Sequence, residues 1–262
     1  MPMNNRLLRP TTGLDPDAAK YLAAVEAADG EPLEPAVRTA INAFFGDLKS
    51  TPGLFDAIKA SCILCGARTI TGALVPLAGD APTAQGGWSS GDYSRTAGMT
   101  GDGAALYLDS GRANDADPQN DQHLAAYCSS GVVTAGEYLI GATESETISY
   151  SLAGYRTYSR SSSAGGSLGG GTGLYAVSRS SASGYSSMQA SGSVAFISKE
   201  SVNVTLSQSI LVFGHSTTNG LPAAFTDDSI AFYSIGTSVG GSGLVALDTA
   251  VGNLISAIGE AL

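Results

Sequence analysis

The chain has 262 residues, 43% hydrophobic and only 14% charged, with 34 glycines and a net charge of −10 from 23 acidic and 13 basic side chains. That length and apolar share suffice for one large β domain with an appendage, and sparse charge with abundant Gly and Ser favours short strands and tight turns over helices. The acidic balance argues against a phosphate-binding surface, so no nucleic-acid partner is expected.

The opening MPMNNRLLRPTTGLDPD has no apolar core of secretory length, and no run anywhere approaches ~18 apolar residues, so the chain is expected to be made in the cytoplasm without membrane insertion. Residues 1–14 show no apolar pattern and are expected to form an extended arm reaching a neighbour. Asp15-Pro16 gives an N-cap and a first-turn proline, and Tyr21, Leu22, Val25 and Ala28 make an apolar stripe that Asp29-Gly30 ends. A second helix starts near Pro35, with Val37, Ile41, Phe44, Phe45 and Leu48 on one face. Thr51-Pro52 repeats the start signal before a short third helix containing Leu54, Phe55 and Ile58.

From Ala60 the period changes. ASCILCGA and RTITGALVPLAG read as buried strands, and TAGMTGDGAALYLDSG places Leu106 and Leu108 on one face with Tyr107 and Asp109 on the other. HLAAYCSS, EYLIGA, ISYSLAG, VAFIS, VNVTL, ILVFGH and SIAFYSIG continue the series, and Asn219-Gly220 signals a tight turn. Many short strands separated by Gly-rich turns predict a sandwich or jelly roll. Leu244, Leu247, Val251, Leu254 and Ile258 then predict a C-terminal helix over 242–262, packed on the sheet rather than forming a coiled coil. Cys62, Cys65 and Cys128 are too few for a disulfide framework. The C-x-x-C of SCILCG, set on a strand, points its thiols to opposite faces, so buried free thiols are expected and no metal.

One phrase is written twice: YSRSSSAG at 158–165 and VSRSSASG at 177–184. Of the 35 residues from Ser159 to Ser193, 13 are Ser and 8 are Gly, and Arg160 and Arg179 are the only charged ones. The alternating Tyr155, Tyr158, Leu174, Tyr175, Val177 and Tyr185 argue against disorder and for two neighbouring strands of one sheet with small residues outward. Ser, Gly, Tyr and Arg are the palette of an adaptable binding face, which makes Tyr158, Arg160, Tyr175, Arg179 and Tyr185 the candidate ligand-binding residues. Close packing against another subunit accounts for the same composition equally well.

TGDGAALYLDSG, HLAAYCSS and LVFGHSTTNGLPAAFTDDSIAFYSIGTSV resemble strands of concanavalin-A-like (laminin-G-like) jelly rolls. DPDAAKYLAAVEAADG, EPAVRTAINAFFGDLK and FDAIKASCILCGARTITGALVPLAG resemble the helical lead-in of proteins encoded in tailed-phage structural modules. DSIAFYSIG followed by LDTAVGNLISAIG is similar to their closing strand and helix. The resemblance spans nearly the whole chain. It implies a jelly-roll β-sandwich over 60–262 with its C-terminal helix, and a docking segment over 1–59. It further implies a virion protein that assembles with other virion proteins as a homo-oligomer, a trimer being the expected symmetry. Within the particle it would serve as a tail fibre, spike or head fibre component whose jelly roll adheres to a host-surface glycan. The alternative is a capsid decoration or connector protein with no ligand. Jelly rolls of this class often bind glycans, sometimes with calcium held by loop carboxylates, and Asp115, Asp117 and Asp121 in RANDADPQND are oxygen donors. No calcium-loop pattern surrounds them, so a solvated acidic loop is expected.

Catalytic signals are missing from the sequence. His123 and His215 lie in no nucleophile-elbow or zincin motif, GGSLGGGTG lacks the ending of a phosphate loop, and Glu144 and Glu146 sit in a polar setting unlike a glycosidase groove. No enzyme activity, cofactor or metal is expected.

Overall fold

In a computed structural model of the chain, described for residues 13–130, 136–145, 148–153, 156–161, 163–165, 170–190, 192–203 and 206–262, the first helix begins where the capping signal places it. The Asp15 carboxylate accepts from the Asp17 and Ala18 amides to start α1 (Pro16–Asp29), and Gly30 closes it in the left-handed conformation. α2 (Pro35–Ser50) follows, then one helical turn, α3 (Leu54–Ala57), capped by Gly53 rather than by Thr51. The segment read as one strand, RTITGALVPLAG, instead divides. The Thr69 hydroxyl accepts from the Gly72 amide and caps α4 (Ile70–Ala73). Asp29 supports this turn by accepting from the Arg68 and Thr69 amides and the Thr69 hydroxyl.

The strands in chain order are β1 (Ile58–Ile63), β2 (Pro76–Ala78), β3 (Thr83–Gln85), β4 (Tyr93–Ser94), β5 (Gly98–Thr100), β6 (Tyr107–Ala113), β7 (Gln122–Ser130), β8 (Tyr138–Ser145) and β9 (Ile148–Ala153). β10 (Arg156–Ser161), β11 (Gly173–Arg179), β12 (Tyr185–Met188), β13 (Val194–Ile197), β14 (Ser209–Val212), β15 (His215–Ser216), β16 (Pro222–Ala223) and β17 (Ser229–Gly236) follow, and α5 (Gly240–Ala261) ends the chain. The expected strand VNVTL does not form at 202–203, and residues 204–205 lie outside the described residues. Gly220, with φ of 73°, makes the expected turn between β15 and β16.

The protein is mainly β, with two sheets packed face to face and a C-terminal helix. One sheet runs β13-β12-β11-β7-β17-β1-β2, with β5 attached to β17; the other runs β10-β9-β8-β14-β6-β3, with β15 attached to β8. α1, α2 and α5 cover the outer face of the first sheet, which is therefore the middle of three layers. Its strands alternate between two cores. Leu174, Ala176 and Phe232 join Phe44, Phe45, Leu247 and Val251 beneath the helices. Tyr175, Val177 and Tyr233 join Leu108, Ile140 and Val212 between the sheets. The Phe44 ring meets Phe232 edge-on at 5.8 Å, so the lead-in helix and the central strand share one core.

The apolar stripe of α5 packs as its spacing predicts. By length and composition α5 would also suffice to cross a membrane, but Leu244, Leu247, Val251, Leu254 and Ile258 are all buried in the core beneath the helices. The three cysteines are buried and free, with Cys65 beneath the helices and Cys62 and Cys128 between the sheets.

Candidate functional site

The repeated phrase does not form adjacent strands. Its first copy lies on β10 at the edge of the second sheet, and its second lies on β11 inside the first sheet, so the two face one another across the sandwich. The expectation of an outward polar face fails for a local and a global reason. β10 carries an irregularity between Ser159 and Ser161, where Arg160 adopts φ of 45°. That breaks the period of two and leaves Ser159, Arg160 and Ser161 all buried. β11 is covered on both faces, and all seven of its residues are buried.

Both arginines are interior, Arg160 at 2% and Arg179 at 0% exposure. Arg179 is surrounded by backbone carbonyls. Its Nε donates to Ser159 O (2.7 Å), Nη1 to Ser181 O (3.0 Å), Ala182 O (3.4 Å) and Gly184 O (3.2 Å), and Nη2 to Lys199 O (3.1 Å). Its guanidinium also stands 5.2 Å over the Tyr185 ring. Burial pushes Arg179 below its ordinary pKa, and the charge of Arg160 adds to that. Arg160 donates from Nη1 to Asp117 O (3.0 Å) and from Nη2 to Asn114 O. Each guanidinium thus ties loops to strands.

The tyrosines divide likewise. Tyr175 and Tyr185 are core residues whose hydroxyls donate to Gly171 O (2.7 Å) and Thr157 O (2.8 Å). Four of the five candidate ligand-binding residues, Arg160, Tyr175, Arg179 and Tyr185, therefore have no surface to offer a ligand. Tyr158 alone remains half-exposed. It sits in register with Ser151 and Gly141, on the side of the second sheet away from the first. On that side Tyr138 stacks on His215 with centroids 3.9 Å apart, and the Thr143 hydroxyl is 2.9 Å from His215 Nδ1. Arg156 is exposed nearby. Burial pushes Tyr138 up and His215 down from their ordinary values. Nothing in the local sequence marks Tyr138 or His215, since only strand register brings them together.

The remaining chemistry-bearing groups are occupied within the fold. His123 is fully buried, with Nδ1 2.6 Å from Thr237 O and Nε2 2.7 Å from Ser234 Oγ. The carbonyl fixes the proton on Nδ1, and Nε2 accepts from the serine. Burial pushes its pKa down to about 4. This serine–histidine contact is closed to solvent. In the acidic loop, Asp117 pairs with Arg112 (2.6 Å), Asp121 accepts from the Ser238 amide and hydroxyl, and Asp115 accepts from Ser207. Among the described residues no group of three His, Cys, Asp or Glu is placed to hold a metal ion. Glu146 lies outside the described residues.

Two outward features among the described residues bear on partners. A shallow groove of about 530 Å³ runs between α2 and α5, lined by Ala36, Ala40, Ala43, Ala257 and Glu260. The other is the edge strand β13, which exposes Phe196 (65%) and Val194 (37%). A signal for this edge was present in the sequence: no charged residue occurs over the 19 positions 180–198.

No family model matches the chain, and no curated protein matches it. Among solved structures it is similar to the NanB sialidase from Streptococcus pneumoniae at 13% identity, with a TM-score of 0.29. The match covers 47% of this chain and 23% of the sialidase chain, and it assigns no family, activity or substrate.

Proposed function

We propose that the chain is a non-enzymatic structural protein of a tailed-bacteriophage particle, whose sandwich, of jelly-roll type, serves assembly rather than ligand capture. One observation counts against adhesion through the repeated phrase, and it equally takes that phrase out of a subunit interface. The arginines of the repeated phrase are consumed inside the fold, donating to backbone carbonyls of Asn114, Asp117, Ser159, Ser181, Ala182, Gly184 and Lys199. A surface for binding sugars needs such donors free. The particle assignment rests on the sequence resemblance of the helical lead-in and the closing strand and helix. The experiment is mass spectrometry of density-purified particles, backed by labelling with antibody to this chain. A fixed copy number that survives salt washing supports the reading, and absence from particles overturns it.

A second reading has its own observation. The stacked Tyr138–His215 pair with Tyr158 and Arg156 puts aromatic and cationic groups on an outer sheet face, suited to host-surface glycan adhesion. Glycan-array binding that Tyr158→Ala and Arg156→Ala abolish, without a change in melting temperature, would favour it.

A further inference from the structure

Edge strands normally carry a lysine, a proline, a bulge or a covering loop, because an uncovered edge pairs with whatever strand it meets. β13 ends the first sheet with no lysine, proline or bulge within the strand. It pairs with β12 in unbroken register over Tyr185–Ile197, Ser186–Phe196, Ser187–Ala195 and Met188–Val194. Its other side pairs with no described strand. Val194 lies against the first turn of α5, its Cγ1 3.3 Å from where a Cβ on Gly241 would stand. The period of two then puts Phe196 on that same helix-covered side, while Ile197 faces the space between the sheets.

We infer that β13 is a self-association edge, pairing antiparallel with β13 of a second copy about a two-fold axis through Ala195. Two features favour another copy of this chain over an unrelated strand. The first is self-complementarity. The register sets Val194 opposite Phe196 of the second copy, and Phe196 opposite its Val194. Both pairs lie on the helix-covered side, so the sheet continues without inverting its faces. The second is charge. A chain of net charge −10 repels itself over most of its surface, yet the 19 residues 180–198 carry no charge. This inference rests on the assembly reading only in naming the partner that reading leaves open, and a mass measured on the pure protein tests it apart from the particle.

The experiment uses the full chain. Sedimentation velocity across a roughly hundredfold concentration range should show monomer passing to dimer. Ala195→Cys should form a disulfide-linked dimer under mild oxidation, because residues facing themselves across an antiparallel axis are within disulfide reach. The native thiols are buried and stay silent. Ser198→Cys, beyond the end of β13 and three residues from the axis on each copy, should not cross-link. Phe196→Lys, which places a charge on both symmetry-related apolar pairs at a position exposed in the single chain, should weaken the dimer at least tenfold. A monomer throughout, a trimer, or equal cross-linking of the two cysteine variants would overturn the inference. If Ala195→Cys does not fold, the mass series of the unaltered chain decides alone.

Discussion

Replacing Arg179 by Met keeps most of the side-chain volume while removing the three nitrogens that make contact with five carbonyls. Three of those contacts, to Ser159, Ser181 and Lys199, are 3.1 Å or shorter. Hydrogen bonds from a charged donor contribute about 1.5–3 kcal/mol each, so these three give roughly 5–9 kcal/mol gross. Keeping a guanidinium away from water costs several kcal/mol, which the methionine no longer bears. Against that, the Ser159 carbonyl is stranded in the interior, whereas Ser181, on a half-exposed turn, can turn to water. The expected net loss is about 3–5 kcal/mol. Urea unfolding followed by circular dichroism reads it as a midpoint lowered by about 1–3 M. Arg156→Ala, on the exposed end of β10, serves as the control and should leave the midpoint where it is. If Arg179→Met unfolds within about 0.5 kcal/mol of the parent, the guanidinium is not the tie described here.

Phe44→Ala should cost about 3–5 kcal/mol, and combined with Phe232→Ala should fall short of additive, because the two rings touch. Calorimetry should still show one transition; two would mean that the lead-in helices and the sandwich unfold separately. The thiols of Cys62, Cys65 and Cys128, pushed up to about 12 by burial, should ignore a thiol reagent in buffer and all react in guanidinium. One fast native thiol would contradict this. His123 is held neutral, with its folded pKa depressed to about 4 from an ordinary 6.5. Its contribution is therefore complete above about pH 6.5 and is lost as pH falls through 4. His123→Gln should flatten that part of the stability–pH curve, and an unchanged slope between pH 6.5 and 4 would refute the assignment.

The helices were legible because caps and period agree. Asp15-Pro16, Pro35 and the stripe from Leu244 to Ile258 are local signals that packing did not override. The central strands were legible as apolar runs for a related reason. β1, β11 and β17 lie under a layer on each face, so almost every position is apolar or small. The repeated phrase misled because the same circumstance makes alternation uninformative there. Short side chains in a middle layer look like those of an open face. Where an arginine ends up is decided by carbonyls as remote in sequence as Asn114 and Lys199, which no window around Arg160 or Arg179 contains. The turn α4 was hidden in an apolar run because its cap, Thr69, is supported by Asp29 of α1, 40 residues upstream.

The pairing of β1 with β17 has a temporal consequence. Cys62 and Tyr233, which meet in that pairing, are separated by 171 residues. At translation rates of ~5–20 residues per second, the emerging β1 waits roughly 9–34 s for its neighbour. Through that interval Phe44 and Phe45 lack Phe232 and the stripe of α5, so the first half of the nascent chain holds an apolar face with nothing to set against it. Non-local closure of this kind folds slowly, and α5, the helix that packs on α2, is made only after every strand. A truncation before Gly240 should therefore fail during synthesis, as an aggregate or a chaperone client, and leave no soluble shortened protein behind.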